Sequence, residues 1–366
     1  MSHIIHPEIQ VIGNKHYRKN PMRSQNKSLN EEDHFHEDPV ELESLEINNQ
    51  IIVKPLKLKD DKFTCSIHIP SIFFGYIIGK GRQSLRDLEN TTKCHIIIPR
   101  NISEITIEST KESSIDDCIK LIQMKVTECR LKSKPSHYLE FHLDTPEIKN
   151  NLINFKKGIY DKYGKSKLDS WKIYESMFQL VEKFHITLSV FNAGDDFEYK
   201  LVEQDLEEYL KTEEAVNLFH KGPFHLAIRG LEIMNDDPSS TWVLYASVID
   251  ESGRIQELAN SIAHYLHFKQ WTDSLKGDQM KVKLHATLIN SSKRTEEEKE
   301  NSGKDKGFDV REILKDFGNY EFTSGCIIDK IRIAQVHRIG THGNIYDSYI
   351  QIQPDGKTSM LKNYDN

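Results

Sequence analysis

The chain has 366 residues, of which 37% are hydrophobic and 29% charged, with a mean hydropathy of −0.58 and a formal net charge of −7. That length exceeds what one small core needs and points to two domains with flexible pieces. The longest apolar stretch, "SIFFGYII", is far short of the ~20 residues of a membrane helix, so no membrane association is expected.

The charge is unevenly spread. Residues 1–50 hold five basic and nine acidic side chains, net −4; residues 51–134 hold fifteen and ten, net +5; residues 135–366 hold 29 and 37, net −8. Of the three blocks, the second has the sign of a polyanion binder. The opening "MSHIIHPEIQVIGNKHYRKNP" lacks a basic segment followed by an apolar run and a small-residue cleavage site, so no secretory signal is expected. Five cysteines form no CxxC pair, which argues for reduced thiols in a cytosolic or nuclear protein and against a zinc site or a disulfide frame.

Residues 1–50 read as a disordered acidic tail, with few apolar positions in any period and the run "NEEDHFHEDPVELESLE". His34 and His36 stand there among flexible carboxylates, an arrangement that is usually solvated rather than metal-binding. "VIGNKHYRKNPMR" is more patterned and suits a short segment that folds onto a partner.

The second block is more regular. "KFTCSIHIP" alternates as a strand; "SIFFGYII" is a short apolar helix; a "GKGR" turn leads into "QSLRDLENTT", which is helical by the spacing of Leu85 and Leu88. "KCHIIIPR" and "EITIES" are short strands, and residues 111–131 set Ile115, Cys118, Ile119, Ile122 and Val126 along one helical stripe. The order is βααββα.

After "KSKP" a larger unit runs from 135 to 366. Seven segments from "HYLEFHLD" to "NIYDSYIQIQ" read as strands, and helices are expected at 146–157, 197–219, 253–269 and 308–317, an α+β arrangement. "GKSKLDSWK" and "SSKRTEEEKENSGKDKG" read as flexible loops, either contacting substrate or simply tolerated on the surface. Asp236 and Asp237, in "NDDP", read as turn caps or solvent-facing groups rather than catalysts.

Within this unit "KFHITLSV" (183–190) nearly recurs as "KLHATLIN" (283–290). A strand turns alternate side chains to opposite faces, so Lys183, His185, Thr187 and Ser189 share one side, as do Lys283, His285 and Thr287. Of the 17 histidines, these two are followed by Thr at the second position, and both copies also share Lys before and Leu after. Were the two strands neighbours, two imidazoles and two hydroxyls would converge.

That set suits phosphodiester chemistry. A neutral His takes a proton from the attacking oxygen while a protonated one gives a proton to the departing oxygen. Thr187 and Thr287 can hydrogen-bond nonbridging oxygens, and Lys183 and Lys283 favour an anion. No carboxylate sits in zinc-motif register with either His, so neither metal nor cofactor is called for. Tyr346, Tyr349 and Trp242 are candidates to stack on a base, or are core. Which His is acid and which is base is open at this level.

The pair His185-Ile-Thr187 and His285-Ala-Thr287 resembles the signature of the two-histidine (2H) phosphodiesterase superfamily. "GLEIMNDDPSSTWVLYASV", "VKLHATLIN", "FDVREILKDFGNYEF" and "NKHYRKNP" further resemble the family of activating signal cointegrator complex subunit 1. The resemblance implies a bilobal 2H fold in which each lobe supplies one HxT strand. It also implies a nuclear protein of transcription coactivation and alkylation-damage response, with the N-terminal segment docking a helicase subunit. The first block resembles a type I KH domain, whose I-G-x-x-G loop brings backbone amides to nucleic-acid phosphates. Here the loop reads Ile78-Gly79-Lys80-Gly81-Arg82, with Arg82 where the second glycine is expected. Its side chain obstructs close backbone approach, while Lys80 and Arg82 can still supply charge to single-stranded RNA or DNA. Ile78 and Ile96–Ile98 would floor a base groove or belong to the core. The residues thus support two readings: an RNA phosphodiesterase, or an RNA-binding scaffold whose 2H cleft grips nucleotide ends without turnover.

Overall fold

The computed structural model describes residues 8–13, 15–19, 57–59, 61–100, 102–273, 281–303, 306–336 and 346–362. It begins with a hairpin, β1 (Glu8–Ile12) and β2 (Lys15–Lys19), paired from Glu8 with Lys19 to Ile12 with Lys15. Part of the expected tail is therefore ordered, and the reason is local chemistry. Tyr17 is 7% exposed within the large core, and Lys15 Nζ donates to the Leu231 carbonyl at 2.9 Å and to Glu232 at 2.6 Å. His34 and His36 lie outside the described residues.

The small domain follows: β3 (Lys57–Lys59), β4 (Lys62–His68), α1 (Phe74–Ile78), α2 (Gln83–Thr92), β5 (His95–Ile97), β6 (Glu104–Ser109) and α3 (Glu112–Lys132). The βααββα order appears as expected, with β3 added at the edge of a sheet ordered β3-β4-β6-β5. Alternate residues Cys65, Ile67, Ile105 and Ile107 are buried with Ile115, Cys118 and Ile122 of α3, so strand period and helical stripe meet in one core.

The large domain runs β7 (His137–His142), α4 (Pro146–Ser170), β8 (His185–Phe191), α5 (Asp196–Tyr209), α6 (Glu213–Phe219), β9 (Phe224–Ile233), β10 (Val243–Ile249), α7 (Arg254–Phe268) and β11 (Ala286–Asn290). It ends with α8 (Glu296–Ser302), α9 (Arg311–Phe317), β12 (Glu321–Ile328), β13 (Lys330–Gln335), β14 (Tyr346–Ile352) and β15 (Thr358–Lys362). Its nine strands form one sheet ordered β12-β9-β10-β11-β8-β7-β13-β14-β15. The two lobes meet at β11 and β8, where Ala286 pairs with Ile186.

Neither expected loop is without structure. Residues 164–170 continue α4 beyond a break at Gly164 (φ +72). Residues 291–307 contain α8, which Thr295 and Glu298 cap reciprocally. Arg294, 5% exposed, fastens that segment by donating to the carbonyls of Lys172, Lys306 and Gly307.

The two domains are joined by Arg130 near the end of α3. Its guanidinium lies between the rings of Phe73 and Trp271, 5.0 and 4.8 Å from their centroids, and pairs in a fork with Glu198 of α5. His68 meets Asp195 at 3.0 Å beside this joint. Gly194 has no room for a side chain there, since a Cβ would fall 2.6 Å from Pro70 Cβ and 2.8 Å from Phe73 Cε2.

Candidate active site and nucleic-acid loop

Antiparallel pairing of Ala286 with Ile186 sets His185 beside Thr287 and Thr187 beside His285 by simple continuation of the register. All four side chains then stand on one face, related by a local two-fold axis through the 186–286 pair. Diagonal neighbours on adjacent strands are roughly 7–8 Å apart, somewhat less at Cβ, which leaves room for one phosphate between the two rings.

The rest of the repeated octet has a structural reason. β8 pairs with β7 as Leu139 with Ser189 and then Glu140 with Thr187, so Leu188 is an extra residue. β11 pairs with β10 as Leu244 with Ile289 and then Tyr245 with Thr287, so Leu288 is extra at the same place. Both copies of His-x-Thr-Leu therefore carry a β-bulge at the leucine. The bulge resets the alternation: Leu188 and Ser189 are 0% and 3% exposed, and Leu288 and Ile289 are 1% and 0%. Ser189 thus leaves the polar face on which simple alternation places it.

The lysines of the octet precede the strands proper. Lys183 ends a single 3₁₀ turn, Val181–Lys183, and its carbonyl accepts from His185 Nδ1 at 2.8 Å; the Lys283 carbonyl accepts from His285 Nδ1 at 2.7 Å. A carbonyl can only accept, so each Nδ1 carries hydrogen, and Nε2 is left as the ring nitrogen for substrate. Gln179 reinforces one of these carbonyls, its amide donating to Lys183 O while its own oxygen accepts from Lys293 Nζ. The protein packed around that head group, together with the charge of Lys183, pulls Lys293 down to about 8. Lys283 Nζ lies 5.2 Å from the Tyr245 ring centroid.

The surroundings of the two histidines differ. Tyr138 stacks on His185, with centroids 4.8 Å apart and planes at 23°. Glu140, 1% exposed, lies 3.4 Å from His185 Nδ1 through one oxygen and accepts from His142 Nδ1 at 2.9 Å through the other. His285 meets Tyr245 edge-on at 5.5 Å. Burial pulls its pKa below the ordinary value, as do the nearby charges of His185 and Lys283, against a smaller opposing effect of the Lys283 carbonyl.

Glu140, Tyr138, Tyr245, Gln179 and Lys293 are not apparent as site residues from the sequence. A signal for the first two was present, since "HYLEFH" alternates Tyr138, Glu140 and His142 on one face. Tyr349 is brought to that face but not to the phosphate position. The pairs Glu140 with Arg332 and Arg332 with Tyr349 set it three strands from β8, and Lys330 Nζ lies 5.4 Å from its ring centroid. The Tyr346 side chain lies outside the described residues. Trp242 is 53% exposed before β10, where its carbonyl accepts from Ser291 N. Asp237 caps its turn as expected, accepting from Ser239 N at 2.8 Å.

In the small domain the loop between α1 and α2 exposes Lys80, Gly81 and Arg82, while Ile78 is half-buried. Gly79 (φ 68, ψ 174) could not carry a Cβ, which would fall 2.6 Å from Ser84 Cβ. Arg82 adopts φ 63, ψ 20, the left-handed conformation that glycine accepts without cost. The loop thus keeps a left-handed turn at the position where a second glycine was expected, and the arginine bears the strain. Ile96 is core at 2% exposed, whereas Ile97 is 43% exposed and open to a ligand.

Comparison with known proteins agrees with the two folds. Residues 135–353 match the family model described as AKAP7 2'5' RNA ligase-like domain, and residues 64–124 match the KH domain model. The chain is similar to activating signal cointegrator 1 complex subunit 1 of Mus musculus, 27% identical over 369 residues covering 93% of this chain and 97% of that one. Among solved structures it is similar to E. coli LigT complexed with ATP, at 12% identity over 63% of this chain and 99% of that one, with a TM-score of 0.35. A second, titled phosphoesterase, shows 10% identity with the same coverages and a TM-score of 0.33. Structural likenesses of that size carry no argument about function. The family match spans more than half of the chain: it belongs to the AKAP7 2'5' RNA ligase-like family, a 2H phosphoesterase-like fold, and bears a KH domain in front of it.

Proposed function

We propose that the protein cleaves RNA phosphodiesters by acid–base chemistry at His185 and His285, with Thr187 and Thr287 holding the nonbridging oxygens. The observation that carries this reading is the antiparallel register at Ala286 and Ile186, which builds a two-fold-related pair of His and Thr side chains. Each imidazole is held by a backbone carbonyl at Nδ1, so each turns Nε2 to a phosphate lying between them. The KH domain supplies single-stranded RNA or DNA, with Lys80 and Arg82 on the phosphates and Ile97 under a base.

A second reading, an RNA-binding scaffold without turnover, is favoured by the name of the mouse relative, which is a complex subunit. In both readings we place the protein in the nucleus, in a coactivator and alkylation-damage-response complex. Its N-terminal segment there contacts a helicase subunit. Lys15 and Tyr17 are committed to the chain's own large domain; Ile9, Val11 and His16 remain exposed for the partner.

The test is a panel of short RNAs ending in 2',3'-cyclic phosphate, a 2'-5' linkage or an ordinary 3' end, incubated with wild type and with the double variant His185→Ala/His285→Ala. Cleavage of at least one substrate by wild type alone supports the enzyme. Binding without cleavage, abolished by changing the KH loop and indifferent to the double variant, supports the scaffold.

A further inference from the structure

We propose that the two-fold symmetry of the site is broken by Glu140 so that His185 is the general acid and His285 the general base, an assignment that rests on the phosphodiesterase reading. The axis that exchanges the two HxT strands also exchanges their outer neighbours. β7 places Glu140 opposite Thr187, and β10 places Tyr245 opposite Thr287. One imidazole therefore has a buried carboxylate on its Nδ1 edge where the other has a phenol ring. A carboxylate oxygen lies 3.4 Å from the Nδ1 nitrogen of His185, and an anion at that distance favours a cationic ring, whereas the neutral phenol and the lysine beside His285 bring it no negative charge.

The groups around each ring bear this out. His185 faces Glu140, His142 and Tyr138 from β7, Thr287 of β11, His285 just before that strand, and the Lys183 carbonyl at its Nδ1. Arg332 of β13 stands opposite Glu140 in register but is turned to Asp144 at 2.9 Å. His142 donates to Glu140 from a 7% exposed side chain, which fixes the carboxylate in place. His285 faces Tyr245, Lys283, Thr187 and His185, and its burial and cationic neighbours favour the neutral ring.

In the reaction, neutral His285 Nε2 takes the proton of the attacking hydroxyl or water as the new P–O bond forms. The His185 Nε2 hydrogen passes to the departing oxygen as the old P–O bond breaks. The two rings end with their protonation exchanged, and solvent restores them. The leaving group accordingly sits on the β7–β8 side and the nucleophile on the β10–β11 side. Glu140 is a positioning residue that acts through His185.

Two measurements on the full chain decide this. Nitrogen-15 NMR of wild type with labelled histidine reads ring protonation without requiring turnover; at neutral pH the doubly protonated fraction should be larger for His185 than for His285, and Glu140→Gln should reduce it at His185. Equal fractions, or a larger one at His285, overturn the proposal. The second compares uridylyl-(3',5')-adenosine with uridine 3'-(4-nitrophenyl phosphate), whose leaving group needs no proton. His185→Ala and Glu140→Gln should lose ~10²-fold and about tenfold, respectively, on the dinucleotide and far less on the nitrophenyl ester, whereas His285→Ala should lose on both. Rescue of His285→Ala in place of His185→Ala overturns the assignment. If no substrate turns over, the phosphodiesterase reading fails, and the NMR comparison still decides which ring holds the proton.

Discussion

Arg82 is the residue at which local conformation and function are in open conflict. A side chain held at φ 63 costs ~1–2 kcal/mol against glycine; the backbone N–H of Arg82 donates to the Gly79 carbonyl at 3.2 Å, a bond that glycine would make equally well. The strain fits the proposed role for charge, in which the guanidinium would contact phosphate where an intact glycine loop would use amides. Arg82→Gly should therefore raise the thermal stability of the KH domain by about 1 kcal/mol. It should also reduce the salt dependence of single-stranded RNA affinity by about one phosphate contact. Calorimetry and a binding titration at several salt concentrations check both; an unchanged salt slope would mean that Arg82 touches no phosphate. The paired histidines are the opposite case, since their fixed tautomer comes from the chain itself through the carbonyls of Lys183 and Lys283.

At the scale of elements, the joint between α3 and α5 decides whether the two domains behave as one body. Arg130 is 2% exposed and its partner Glu198 3%, and removing one side of such a pair leaves an uncompensated buried charge, at a cost of ~3–5 kcal/mol. Arg130→Met should therefore split the thermal transition, the KH domain melting apart from the large domain, while Arg130→Met with Glu198→Leu should recover most of the loss. A single unchanged transition in Arg130→Met would show that the ion pair does not join them. Much at this scale was legible in the chain: the βααββα order follows from short periods and stripes, and the HxT strands from alternation. The bulges at Leu188 and Leu288 were not, because a bulge is defined by the partner strand's register and not by its own residues. Glu140 was hidden for a similar reason, being far from His185 in sequence although its own strand shows the alternation. Helix α8 was missed although its capping pair, Thr295 and Glu298, stood in the sequence, since the polar run around it reads as a loop. The hairpin was missed because its apolar anchors, Tyr17 and the half-buried Ile12, are sparse in a polar, charged segment.

Across the whole molecule, one sheet of nine strands is made of two lobes that touch at the β11–β8 seam, and every catalytic group proposed lies at that seam or one strand from it. In the proposed site each lobe contributes half, which would account for the recurrence of one octet at a separation of 100 positions. The seam also predicts how its parts combine. Two imidazoles acting on one phosphate form a unit, and losses within a unit do not multiply. The most direct test is the hydrolysis rate of the best RNA substrate by wild type, His185→Ala, His285→Ala and the double variant, in the presence of EDTA. Wild type should retain its rate in the chelator, each single variant should fall by ~10²-fold or more, and the double variant should be no slower than the worse single one. Activity surviving both substitutions, or single losses that multiply in the double variant, would contradict a phosphate held between His185 and His285.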